Sequence, residues 1–202
     1  MITKIMIDAG MRRRKNCTGR PIDGEDAELS PAYRIGEALA DRLERAGYET
    51  LFSGNVPELS DQEASAGRPS VCAATAKKWG ADCLIRLCVR AAELPTEARA
   101  EAMVYRGNSG AWSLGESVLQ SLEQGCGMKS NGVRPGSGML LLRRTVCPSM
   151  ILVLQLPFRQ KEQLSEAEVN TYAESVMRGI DVWAKTVGLT QGSTSRHCYR
   201  QA

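Results

Sequence analysis

Apolar positions along the chain follow two rhythms: short unbroken runs, and recurrences at every third or fourth residue. The runs "KIMI" (4–7), "TLF" (50–52), "CLIRLCV" (83–89), "AEAMVYR" (100–106) and "SMILVLQL" (149–156) read as strands. "CLIRLCV" and "SMILVLQL" are nearly continuous, the pattern of strands covered on both faces. Helical spacing fills the intervals. From Ser30, a good N-cap with Pro31 at the first helical position, Ile35, Leu39 and Leu43 recur every four residues until Gly47. "SVCAATAKKWG" predicts a helix ending at Gly80. "AWSLGESVLQSLEQ" places Trp112, Val118 and Leu122 on one helical face and is expected to stop at Gly125. A long final helix over 165–188 opens with a capping box, Ser165 to Glu168. The stretches 53–69 and 125–138 read as loops, the second followed by the apolar run "MLLL".

Strands alternating with helices predict an α/β fold: a single domain over residues 1–189, with a mostly parallel twisted sheet and helices on both faces. Residues 190–202 are polar and unpatterned and are expected to form a disordered tail. No internal repeat is present. In open sheets of this kind ligands sit beyond the carboxyl ends of the strands, so the loops after Asp8, Val89 and Leu156 are where chemistry is sought.

Composition narrows this picture. With 202 residues the chain can bury one sizeable core, and with two Phe that core is mainly aliphatic. A net charge of +3, with one short basic run (Arg12, Arg13, Arg14, Lys15), gives no footprint for nucleic acid. No segment approaches the ~20 apolar residues of a membrane span. No export leader is visible, so the chain as encoded is expected to be cytoplasmic and without a membrane contact, with export by another route left open. Seven cysteines without C-x-x-C spacing argue against a zinc ribbon and read as small buried hydrophobes.

Four stretches in order carry a resemblance. "KIMIDAGM", "AELSPAYRIGEALADRLERAGYETLFS", "GADCLIRLCVRA" and "NGVRPGSGMLLLRRTVCPSMILVLQL" with its final strand are similar to the zinc-dependent N-acetylmuramoyl-L-alanine amidases of the amidase_3 type, over about residues 4–187. The resemblance implies hydrolysis of the muramoyl–alanine amide in peptidoglycan, by a zinc held on two imidazoles and a glutamate with a position open for water. A further glutamate would move protons. Position by position, the first ligand histidine falls on Met11 and the ligand glutamate on Glu28, which is kept. The second ligand histidine falls on Cys88 and the catalytic glutamate on Val153, and no Asp or Glu occurs from 145 to 160. The sole histidine, His197, lies in the tail.

A thioether is a poor zinc ligand, and a lone carboxylate with a thiolate makes no catalytic site. The expectation is therefore an amidase-like pseudoenzyme with no catalytic residue and no cofactor. Zinc enters only under the alternative of an active amidase with an atypical metal site. A third reading keeps only the fold, as an interaction protein. Where the family holds a dication this chain gathers guanidinium groups. Arg86 and Arg90 flank Cys88 on one strand face, and Arg12 leaves the neighbouring strand. Arg12, Glu28, Arg86 and Arg90 are the candidate binding residues, for an anionic muropeptide or a protein partner, with Arg86 expected to pair with Glu28. Arg86 as a filler of the vacated metal space, with 12–15 a solvated loop, is the competing expectation. Cys88 as a nucleophile would need a base that the ordered chain does not supply. Gly136 to Gly138 lacks the pattern of a phosphate loop, and Trp112 and Trp183 read as packing residues.

Overall fold

The computed structural model describes residues 3–9, 30–56, 67–92, 97–157 and 164–189. Six strands form one sheet: β1 (Lys4–Asp8), β2 (Glu49–Phe52), β3 (Cys83–Ala91), β4 (Arg99–Val104), β5 (Lys129–Pro135) and β6 (Ser149–Leu156). Their order across the sheet is β2-β1-β3-β6-β4-β5. The first four in that order run parallel, whereas β4 lies antiparallel to β6 and parallel to β5. The expected mostly parallel α/β sheet is thus present, with a reversed pair at one edge.

The described helices divide between the two faces. One face carries α1 (Pro31–Arg45), α3 (Ser109–Cys126) and α5 (Glu166–Thr186); the other carries α2 (Arg68–Trp79) and the short α4 (Leu140–Arg144). Strand alternation decides which side chains each layer receives. Ile5, Ile7, Ile85, Leu87, Leu152 and Leu154 enter the larger core under α1, α3 and α5. Met6, Leu84, Ile151 and Val153 enter the smaller one, where Cys72, Ala73 and Ala76 of α2 meet Leu141 and Leu142 of α4. Small residues on α2 let it lie close to the sheet, so the polar groups at its start are carried down onto the strand ends.

Several boundaries differ from the sequence expectations. Residues 129–135 form β5 rather than loop, because an edge strand with its solvent face open has no need of an apolar run. Gly125 does not stop α3. It sits against α5, where a Cβ would come 2.4 Å from Ser175 Oγ, and the left-handed cap falls at Gly127 with φ +67°. The helix expected from Ser70 begins at Arg68, and "MLLL" turns into α4. Ser30 and the Ser165–Glu168 capping box form as read. The tail expectation for 190–202 lies outside the described residues.

Candidate functional site

At the carboxyl end of β1, beside the middle of β3 and on the face covered by α2, lies a carboxylate with no access to water. Asp8, 0% exposed, ends β1 abreast of Arg86 of β3. Its Oδ1 accepts a hydrogen bond from Arg68 Nη2 at 2.8 Å, and its Oδ2 lies 2.9 Å from Arg86 Nε. Arg68, 3% exposed, opens α2 just before Pro69. Burying one such charge alone would cost several kcal/mol, on the order of the penalties that make isolated buried ions rare. Here the second guanidinium leaves the group of three with a surplus positive charge. Cys72, one turn along α2, packs beside it; burial and then the Asp8 carboxylate push its thiol far above the usual range.

A second row lies one strand pair outward. Cys88, Val153 and Glu101 stand abreast across β3, β6 and β4. Cys88 is half-buried, and burial raises its thiol pKa although Arg86 and Arg90 pull the other way. Glu101 is buried, and its Oε1 accepts from Arg90 Nη2 at 2.5 Å, with Arg134 Nε 3.9 Å from Oε2. The next row outward sets Arg90, Gln155 and Arg99 abreast, with Gln155 also buried. Arg99 and Lys129 share Glu97, whose carboxyl they hold below its ordinary value by hydrogen bonds, the one from Lys129 foremost. Around this rim Arg90, Arg99, Lys129 and Arg134 face two carboxylates, Glu97 and Glu101. Among the described residues, cations outnumber anions in both layers of the site.

Of the residues singled out in the sequence, Arg86, Cys88, Arg90 and Val153 are gathered on this face. Met11, Arg12, Glu28 and His197 lie outside the described residues. The partner expected for Arg86 was Glu28; the carboxylate that meets its Nε is Asp8. Two further residues of this cluster, Arg68 and Glu101, are not among the sequence candidates. Arg68 had no signal, since a basic residue ahead of a proline at a helix start marks only the boundary. Glu101 did have one. It is the sole acid in β4, set between alanines, at a position whose alternation turns it to the α2 face with Met103. Among the described residues, no three of His, Cys, Asp and Glu are grouped so as to hold a metal ion.

No protein-family model matches the chain, and no curated protein matches it. Solved structures do. The chain is similar to an N-acetylmuramoyl-L-alanine amidase from Clostridium difficile 630, with TM-score 0.72 and 16% identity over 92% of this chain and 98% of that one. It is similar to the amidase AmiC2 of Nostoc punctiforme, with TM-score 0.66 and 18% identity over 91% and 97%. It is also similar to the CwlD amidase of Clostridioides difficile in complex with the GerS lipoprotein, with TM-score 0.69 and 14% identity over 91% and 99%. The fold is that of the N-acetylmuramoyl-L-alanine amidases, over nearly their whole length.

Proposed function

We propose that the chain is a peptidoglycan-binding protein on an amidase scaffold that recognises anionic muropeptides without cleaving them. The observation that carries this reading is the Arg68–Asp8–Arg86 ion triple, with Cys88 and Val153 beside it, at the strand ends where such a fold keeps its metal. The donor chemistry there does not fit zinc. Cys88 is held as a thiol by burial and is flanked by two permanent cations, which disfavour a dication between them. Asp8, the nearest carboxylate, has both oxygens engaged by guanidinium groups. In this reading the described residues at this spot offer hydrolysis no metal-activated water.

Binding needs less. Arg90 and Arg134 are both largely exposed at the rim, and Glu101 occupies one face of each. A guanidinium presents five donors, so a stem-peptide carboxylate can take those that Glu101 leaves. A protein partner is the second kind of ligand, since one amidase of this fold is seen in complex with a lipoprotein.

One observation favours an active amidase with an atypical site instead. Glu101 brings a buried carboxylate directly alongside Val153, on the neighbouring strand. Its ion pair with Arg90 keeps it engaged, which suits anchoring better than proton transfer. Titration calorimetry with muropeptides separates the readings. Muropeptides with free stem carboxylates are expected to bind, and Arg90→Ala is expected to weaken them about tenfold, the loss of one charge-assisted hydrogen bond. Equal affinity for fully amidated stems would contradict the proposal.

A further inference from the structure

The end of the molecule opposite the arginine-lined cleft holds a recess of a different character. β4 runs antiparallel to β6, so the turn after β4 lies where β6 begins, and Gly110 in the first turn of α3 packs against Pro148. Gly107, Asn108 and Ser109 of that turn, with Trp112, Ser113 and Glu116 of α3, line a recess of about 310 Å3. Asn108 N–H donates to Tyr105 C=O, and Gly107 takes φ +90° with open space where a Cβ would stand. Trp112 and Glu116 are one helical turn apart and share a face. Helical spacing makes packing residues of Trp112 and Trp183 alike, and the structure separates them. Trp183 is buried, and its Nε1 donates to Gly110 C=O, so it holds the first turn of α3 from inside. Trp79 carries Lys4 Nζ 5.2 Å from its ring centroid. Trp112 is 37% exposed, and among the described residues no ring, cation or hydrogen-bond acceptor engages its indole.

The polar atoms around the ring keep hydrogen-bonding capacity. Asn108 Oδ1 accepts from Ala111 N–H, and Ser113 Oγ donates to Gly110 C=O. That leaves the Asn108 amide N–H groups as donors and the Ser113 oxygen as an acceptor. Among the described residues, the exposed Ser109 hydroxyl makes no hydrogen bond and the exposed Glu116 pairs with no cation. We infer that this recess is a binding site for a neutral, β-linked hexopyranose chain, with Trp112 as its platform. Equatorial substituents leave such a sugar a flat C–H face to lay on the indole, while its hydroxyls both donate and accept at the rim. Arg106 precedes Gly107 and formally offsets Glu116, so the rim favours neither an anion nor a cation. The site goes beyond stem recognition. The cleft holds carboxylates by charge, whereas this recess holds hydroxyls and a ring face at the other pole.

The test is calorimetric titration of the full chain with chitotetraose and with cellotetraose, neither of which carries a carboxylate for the arginine cleft to hold. Binding of at least one is expected, with the Trp112 indole N–H resonance shifting on addition and the affinity equal at low and high salt. Preference for chitotetraose would assign the acetamido group a contact, and equal binding would assign the ring face and hydroxyls alone. Trp112→Ala should weaken binding about tenfold, and Trp112→Phe less, because a ring platform remains. Glu116→Gln keeps an acceptor and should cost roughly threefold. Val146→Ser, 70% exposed at the same pole and outside the recess, should bind as the native chain does. Binding of neither sugar, or undiminished binding in Trp112→Ala, would overturn the inference. So would tighter binding of tetramethylammonium that is lost in Glu116→Gln, the mark of a cation site. The stem-peptide titration stands or falls separately, since it uses a different ligand at the opposite pole.

Discussion

The carboxylate of Asp8 decides most of what this chain can do, and its effect is measurable. Among the described residues Asp8 pairs with the buried Arg68 and the partly exposed Arg86; without it these two like charges lose their shared carboxylate. Asp8→Asn keeps the shape and removes the charge. It is expected to cost about 3–5 kcal/mol, the range for breaking a buried pair on one side, read as a lower denaturant midpoint with the slope unchanged. A loss below about 1 kcal/mol would mean the triple is solvated after all. The thiols give a second prediction at this scale. Burial raises the pKa of Cys72, Cys83, Cys88 and Cys126, and brings Cys147 to about 11. A folded-state pKa above the unfolded value means that stability is intact below about pH 9 and declines as pH rises past it towards 11 and beyond. Thiol alkylation at pH 8 should accordingly leave Cys72 and Cys83 unmodified in the native chain and label them in denaturant. Rapid native labelling of Cys83 would contradict its full burial.

At the scale of elements, what the sequence disclosed followed from burial. β3 and β6 were legible because both are largely covered and, Arg86, Arg90, Ser149 and Gln155 apart, apolar, and α1 and α5 because their caps are polar groups at fixed offsets. β5 was not legible: an edge strand of "KSNGVRP" stabilises itself through one ladder and offers no hydrophobic period. The site divides in the same way. Arg86, Cys88 and Arg90 on one face followed from the strand period, whereas Asp8 meeting Arg68 depends on where α2 lands, 60 residues away along the chain. Helix packing supplies a test of its own. Gly179 of α5 faces α3 so closely that a Cβ would stand 2.5 Å from Val118 Cα. Alanine there gains ~1 kcal/mol of helix propensity. Backbone cannot yield as a side-chain end can, so overpacking, about 1–3 kcal/mol, is expected to win. Gly179→Ala should lower the melting temperature by a few degrees; a rise would show that the two helices separate freely.

For the whole molecule, the scaffold of a cell-wall amidase carries chemistry of a different kind at its strand ends. Arg86, Cys88, Arg90 and the aliphatic Val153 share one face of the sheet, and among the described residues guanidinium groups extend from the buried triple to the rim at Arg90 and Arg134. Such a surface retains anions, and salt should weaken it in proportion to its exposure. Incubation of the purified full chain with zinc and defined muropeptides, with chromatographic detection of stem peptide released from muramic acid, tests this most directly. The account predicts no release with or without zinc, while the intact muropeptide stays bound. Release that stops when a chelator is added would contradict it.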